Sequence, residues 1–435
     1  MNNCKKMKIL LVTGDVWNDS TNGNNIYTNW FKDYDAEFAN IYLSPGVPEN
    51  TICSKYFQVT DKMMARSLLF QRAGQSFEQE CKLNENHPVN LNVEREDVTL
   101  YTIIKRFAGE PLRIAREILW TMGRYNISEL KKFIDEFKPD IVFCPHLFSL
   151  KYRRIERIVH SMTDAPMVGF TGDAEASLRA INYNPLFWLR QLTLHFLYKK
   201  HIKLFKWYFT FSKKQCEEIT KRYGVPAETL YKCADVVPLQ QRKTNEVIKL
   251  VYAGRLYCNR WRTISAIGDA LVKLNKDSCK AEVYVYSQDK LTAKQQKALS
   301  PQKYIHFMGA IHPSLLPKIY KEADIALHVE SFGKKDSYIT MHSFSTKIVD
   351  LLSCSSAIMA LCKDNNNGWN YLRKEKAAIC ISDTKDILPI MQSIVDNPSL
   401  LNEYALRAHQ CLQKNHSRKD IHRQIERVFT FVIEQ

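Results

Sequence analysis

Two apolar runs constrain this chain more than any other feature: KILLVTGD (8–15) and IKLVYAGR (248–255). Each packs its apolar residues together without polar alternation. Runs of four to eight such residues fit strands covered on both faces, as in a parallel sheet. The pattern repeats in PDIVFCPH (139–146), PMVGFTGD (166–173) and WYFTFS (207–212) after the first run. After the second come AEVYVYS (281–287), YIHFMG (304–309), DIALHV (324–329), SAIMAL (356–361) and AAICIS (377–382). Helical segments separate them. In NISELKKFIDEFK (126–138), Leu130, Phe133, Ile134 and Phe137 share one stripe. SKKQCEEITKRYG (212–224) starts at a capping Ser and ends at a Gly. HPSLLPKIYKEA (312–323) predicts a short helix ahead of a strand.

Strand alternating with helix is the pattern of an α/β fold. Because it restarts near residue 248, the reading is two Rossmann-like, doubly wound domains facing a central cleft. The first is placed at 1–240 and the second at 241–412, with the polar, Pro-containing VVPLQQRKTNEV (236–247) as linker. SRKDIHRQIERVFTFVIEQ reads as an amphipathic helix, so 413–435 is expected to return to the first domain. Residues 56–125 give the weakest pattern and are expected to hold an insert with helices, one within TIIKRFAGEPLRIAREILWTMG.

A length of 435 residues suits two domains, and 45% hydrophobic with 25% charged residues is ordinary for a folded protein. The net charge of +16 is not ordinary. It points to anionic partners: nucleic acid, phosphorylated metabolites or an acidic membrane surface. The plainer reading is a solvated basic surface. Twelve cysteines form no C-x-x-C pair, so no zinc ribbon or redox motif is visible, and reduced, mostly buried thiols are expected. The apolar run Ile9 to Val12 is too short for a signal peptide, and nothing approaches the ~20 apolar residues of a membrane span. A cytoplasmic location is the expectation.

Ligands of open parallel sheets bind outside the carboxyl ends of the strands. The strongest candidate loop is YAGRLYCNRWRT (252–263). Gly254 allows a ligand close to the backbone, and Arg255, Arg260 and Arg262 follow. Arginine grips phosphate oxygens in pairs. Cations at a helix start oppose its dipole, so mere decoration explains them poorly.

VYAGRLYCNRWRTISAIGDAL resembles the donor-domain opening of GT-B glycosyltransferases, closest to the family-4-like retaining group that uses nucleotide-sugar donors. Arg255 matches that group's Arg, and Arg260 stands where it has a Lys. The resemblance implies that the pair neutralises the donor's departing diphosphate. YIHFMGAIHPSLLPKIYKEADIALHVESFG is similar to the strand–Gly–helix–strand run that ends in E-x-F-G, with Glu330 at the first acid. STKIVDLLSCSSAIMA resembles the segment of the second acid, with Asp350 in its place and Ser355 and Ala357 where Gly and Pro are usual. Nineteen residues, Ser331 to Val349, separate the two acids instead of the family's seven, which implies an inserted loop. Counting back by the family spacing lands on His342, so Glu330 and His342 both stand for the first-acid role.

The resemblance implies that the second acid holds the nucleotide ribose and that the first lies beside the donor sugar. Gly254, Ser287, Gly309, His342, Ser345, Thr346, Lys347 and Asp350 are the expected donor-side residues. Lys347 and Asp350 are also spaced for a plain i,i+3 surface ion pair. In the first half, KILLVTGDVWNDSTNGNNIYTNWF resembles the family's first strand and loop, so Gly23, Asn24 and Asn25, with His146, are expected on the acceptor side. Asp173 matches the Asp of a His-Asp pair, with Gly172 in place of the His. Asp173 with Glu175 suits acceptor activation or, equally, ordinary helix N-terminal acids.

The function implied is a hexosyltransferase-type enzyme, moving a sugar from a UDP- or GDP-linked donor to a glycan or lipid-linked acceptor. The setting implied is bacterial surface polysaccharide biosynthesis, with retention of configuration, no resident cofactor and no metal. FWLRQLTLHFLYKKHIKLFKWYF (187–209) mixes aromatics with cations and suits either contact with an anionic membrane or a buried helix whose cations snorkel. The rivals are a sugar-nucleotide epimerase or phosphorylase on the same plan, a GT-B protein that binds without transferring, and a basic nucleic-acid-binding protein. The last lacks any helix-turn-helix, zinc or RNA-binding signature.

Overall fold

The computed structural model describes residues 6–19, 25–69, 71–79, 93–94, 109–172, 178, 181–240, 243–299, 303–341 and 344–435. The chain divides into two compact units, Met1–Leu230 with Ile421–Gln435, and Tyr231–Asp420.

Unit 1 is built on an eight-stranded sheet. Its strands are β1 (Met7–Thr13), β2 (Ala36–Tyr42), β3 (Lys55–Gln58), β4 (Gln75–Glu78), β5 (Ile141–Pro145), β6 (Met167–Thr171), β7 (Phe205–Thr210) and β8 (Ala227–Thr229). The spatial order is β4-β3-β2-β1-β5-β6-β7-β8, and only β3/β4 pairs antiparallel. Ile9 to Val12 of β1 are fully buried, as an unbroken apolar run requires. The helix Ile127–Phe137 buries the four stripe residues read from the sequence, is capped by Asn126, and closes on Lys138 in the left-handed region. Lys213–Tyr223 begins at the Ser212 cap and ends at left-handed Gly224.

Sequence reading missed β2, β3, β4 and β8. AEFANIY mixes Glu and Asn into its run, and the other three are only three or four residues long. The uncertain 56–125 region holds β4, the helix Asp61–Ser67 and a helix Glu110–Met122. Residues 95–108, where the expected helix would begin, lie outside the described residues.

Helix Pro185–His201, which we call the basic helix, is apolar on two opposite sides. Leu194, Tyr198 and His201 are buried, while Leu186, Leu189, Leu192 and Phe196 are exposed. At 100° per residue the two sets fall on roughly opposite sides of the helix. The sequence offered a membrane-lying helix and a buried helix as alternatives; this one has a face of each kind.

Unit 2 has a six-stranded sheet, all parallel in its pairings. Its strands are β9 (Ile248–Ala253), β10 (Ala281–Tyr286), β11 (Ile305–Gly309), β12 (Ile325–Val329), β13 (Ala357–Leu361) and β14 (Ile379–Ile381), in the order β11-β10-β9-β12-β13-β14. The chain builds outward from β9 to β11, then crosses back to lay β12 on the other side of β9. The crevice at the carboxyl ends of β9 and β12 is therefore a topological switch point. In unit 1 the same crossing falls between β1 and β5.

The long C-terminal helix Arg418–Ile433 buries Ile421, Ile425, Val428, Phe429 and Val432. Phe429 packs on Phe143, and Phe431 on Trp207. Among the described residues the cysteines are free thiols: seven buried, two half-buried and Cys279 exposed. None of the described helices is long and apolar enough to cross a membrane.

Candidate functional site

The unit 2 switch point carries the chemistry. β9 ends at Ala253, and Gly254 follows with its backbone N–H donated to the Tyr286 carbonyl at 2.9 Å. The next turn is tight: Cys258 and Asn259 both adopt left-handed φ, 52° and 58°. Such conformations are costly for residues with a side chain, most of all for Cys258. Asp289, which the sequence reading did not single out, braces the turn. It accepts the Leu256 N–H at 2.6 Å and Arg255 Nε at 3.2 Å. Tyr252 donates its hydroxyl to the Arg255 carbonyl at 2.7 Å. The Arg255 side chain is otherwise 65% exposed, a cation held at its base and open at its tip.

The turn delivers Arg260 to the first position of the helix Arg260–Leu274. Arg260 donates to both oxygens of Glu330, Nε at 2.9 Å and Nη2 at 2.6 Å. It also lies 4.4 Å from the Tyr257 ring centre. Glu330 sits just past the end of β12, its side chain 6% exposed against 12% for Arg260. Burial alone would lower the Arg260 pKa; the hydrogen bonds it donates to Glu330, with that carboxylate's charge, outweigh it and raise it. The two residues assigned to opposite jobs by sequence are thus one bidentate ion pair. An isolated charge at this depth would cost several kcal/mol.

Lys347 opens the short helix Lys347–Leu352. It is an exposed residue overall, yet its ammonium reaches inward and donates to the Ala253 carbonyl at 3.2 Å. Desolvation of that end, and then Arg260, lower its pKa. A Cβ on Gly254 would stand 2.5 Å from Lys347 Nζ, so the glycine is what lets the cation lie across the strand end. Lys347 and Asp350 do not form the i,i+3 pair their spacing suggested. Asp350 accepts Lys232 Nζ at 2.7 Å, and its side chain is 51% exposed.

The segment between the acids forms the helix Lys334–Thr340, tied to the turn through Asp336, which accepts Asn259 Nδ2 at 2.9 Å and Ser331 Oγ at 3.0 Å. His342 lies outside the described residues. Ser287 is buried, donating its N–H to the Gly309 carbonyl, and Gly309 has φ of +75°. Ser345 and Thr346 precede the Lys347 helix, and the Thr346 hydroxyl makes no cap bond.

His328, on β12 two residues before Glu330, was read only as part of an apolar strand. Its ring is buried, and Nε2 has no hydrogen-bond partner among the described residues. Burial pushes its pKa down to about 4, with Glu330 pulling up and Arg260 and Lys347 pushing down.

At the unit 1 switch point, Gly23, Asn24 and Asp173 lie outside the described residues, and Asn25 opens the helix Asn25–Phe31. His146 follows β5. Its Nε2 meets Glu156 Oε1 at 2.7 Å, its Nδ1 meets the Leu147 carbonyl at 3.2 Å, and its ring stacks on Tyr152 at 3.9 Å. Both ring nitrogens are engaged and the side chain is 8% exposed. Glu156 is completely buried, and its other oxygen meets His201 Nε2. Burial would raise the Glu156 pKa; the two imidazoles overcome it and hold the carboxyl down at about 2. Donor atoms of Cys144, His146 and Glu156 lie within 4.8 Å of one another, a grouping of metal-ligand types that sequence spacing did not reveal.

No protein-family model matches the chain, and no curated protein matches it. Solved structures do. HepE from Anabaena, in complex with UDP and glucose, has a TM-score of 0.60 at 12% identity, covering 98% of this chain and 99% of that one. Sucrose-phosphate synthase from Thermosynechococcus elongatus gives 0.58 at 11% identity, covering 99% and 100%. A TarM variant from S. aureus, in complex with UDP, Fondaparinux and alpha-GlcNAc-glycerol, gives 0.51 at 10% identity; 70% of this chain spans 59% of that one. The fold is that of the GT-B glycosyltransferases, with two Rossmann-like parallel-sheet domains.

Proposed function

We propose that this GT-B chain is a glycosyltransferase that moves a sugar from a nucleotide-sugar donor to a glycan or lipid-linked acceptor. One observation carries the reading: Arg255, Arg260 and the Lys347 ammonium gather around Gly254 at the switch point of unit 2. A diphosphate leaving group gains negative charge as the glycosidic bond breaks. Fixed cations beside it lower that barrier electrostatically. Arg255 and Arg260 are assigned to the diphosphate, Lys347 to its support, and Asp350 to the two ribose hydroxyls. Glu330 holds Arg260 and lies beside the donor sugar. HepE and TarM, both solved with UDP, share the fold and support a UDP-linked donor.

The finer reading is a retaining transfer in bacterial surface polysaccharide synthesis, without a metal, at the inner face of a membrane. The basic helix supports the membrane contact. Its exposed Leu186, Leu189, Leu192 and Phe196 end beside Lys199 and Lys200, and residues 176–216 hold eight Lys and Arg with no Asp or Glu. Apolar area flanked by cations suits an anionic bilayer.

A thermal-shift panel of UDP, GDP and their sugar conjugates tests the core reading. One nucleotide diphosphate should stabilise the wild type, and Arg255→Ala should remove the shift. A panel with no shift at all overturns the reading.

A further inference from the structure

We propose that His328 is a positioning residue that takes up a proton and becomes the partner of Glu330 when a diphosphate draws Arg260 away. The inference rests on the donor-site reading above and deepens it.

In the free protein Arg260 is committed to Glu330 by two hydrogen bonds. A diphosphate that recruits Arg260 therefore strips a buried carboxylate of its counter-cation. A carboxylate left alone at that depth is expensive, so another donor must replace the guanidinium. His328 meets the need. It lies two residues earlier, on β12, and Glu330 just past the strand continues its pairing by donating its N–H to the Leu361 carbonyl at 3.0 Å, so the two side chains project to one face. Its Nε2 is buried and has no partner among the described residues, a state that calls for an explanation.

The charged and titratable neighbours set the direction. Glu330 comes from just past the end of β12, Arg260 from the helix after β9, and Lys347 from the helix before β13. The Cys362 thiol after β13 also lies within reach of the Glu330 charge. Asn366, Asn367 and Gly368, which begin the helix covering His328, carry no charge; a Cβ on Gly368 would lie 3.6 Å from His328 Nε2. In the free state the two cations and burial keep the imidazole neutral. A bound diphosphate cancels the cations and frees Glu330, so both changes favour the imidazolium. The step is balanced: one proton passes from solvent to the imidazole, one N–H bond forms, and no other bond changes.

Isothermal titration of inorganic pyrophosphate in two buffers of different ionisation enthalpy counts the protons taken up. Wild type and His328→Gln are compared, so the ligand's own titration is common to both. The wild type should take up more protons than the variant. The ratio of their affinities should rise by up to about tenfold per pH unit as pH falls from about 7 to about 5. The wild-type imidazole signal, followed by NMR, should titrate higher with pyrophosphate than without; this holds the test even where the variant folds poorly. Equal proton uptake by both proteins, or an imidazole that stays neutral in the complex, overturns the inference alone. A wild type that binds neither pyrophosphate nor any nucleotide overturns the functional reading, and this inference with it.

Discussion

The two switch points are alike in topology and opposite in chemistry. In unit 1 a Cβ on Gly14, just past β1, would stand 2.0 Å from the Tyr152 hydroxyl. Beside it Glu156 is held by His146 and His201. In unit 2 the corresponding glycine, Gly254, faces the Lys347 ammonium, and Glu330 is held by Arg260 with His328 left unmatched beside it. One crevice is filled by a neutral ring over a satisfied carboxylate. The other keeps cations at its strand end. Among the described residues each cluster leaves one buried imidazole nitrogen without a partner, His201 Nδ1 in unit 1 and His328 Nε2 in unit 2. What separates them is the cation at the carboxylate, two imidazoles in the first and a guanidinium with a lysine ammonium nearby in the second.

The sharpest way to break this contrast is to remove one partner from each cluster. Glu156→Ala and Arg260→Ala each leave buried groups unpaired and should each cost about 3–5 kcal/mol in denaturant unfolding. Only the Arg260 variant should lose its thermal response to the nucleotide. Loss of that response in the Glu156 variant would erase the distinction.

Acidification should separate the units next. His328 and His416, both in unit 2, have pKa values lowered to about 4, with burial the leading cause. A depressed imidazole pKa means that the unfolded chain binds more protons, so stability falls as pH drops from the ordinary histidine range toward 4. The Glu156 carboxyl, held at about 2, contributes stability above the ordinary carboxylate range that is lost only as pH falls from there toward 2. Each effect is of order 3 kcal/mol. Calorimetry across pH should show unit 2 weakening first, and His416→Gln should reduce that early loss.

Smaller effects refine the donor side. Gly254→Ala forces Lys347 Nζ off the strand end and should weaken pyrophosphate binding by about tenfold, roughly 1.4 kcal/mol. Asp350→Asn removes the half-exposed carboxylate's pair with Lys232 and should change stability by about 1 kcal/mol or less. Its affinity for UDP should fall several-fold while that for pyrophosphate stays the same; an equal fall in both would dismiss the ribose role.

Much of this was legible in sequence. Unbroken apolar runs marked the central strands, and the Leu130–Phe137 stripe marked its helix, because burial on a regular element leaves a period. Gly254, Arg255 and Arg260 were legible because they follow a strand end directly. Pairings across the fold left no such trace. Spacing offered Lys347 to Asp350, whereas Asp350 found Lys232, 118 positions away. Glu156 and His201 looked like ordinary helix residues until the sheet order brought them beside His146. His328 was hidden by its own strand, since a burial pattern reports that a side chain is inside and not whether it is satisfied there.

The C-terminal helix has a consequence for how the molecule is made. Phe429 lies against Phe143, and Gln424 donates to both Glu228 and the Thr229 carbonyl, so the first unit's core is finished by a helix that follows the second unit in sequence. At roughly 5–20 residues per second, a ribosome needs on the order of 10–40 s to travel from Leu230 to Ile433. Throughout that interval the first unit waits with an open seam, while the second can close as soon as it emerges. Synthesis order and completion order are therefore reversed: the unit begun first is the one completed last.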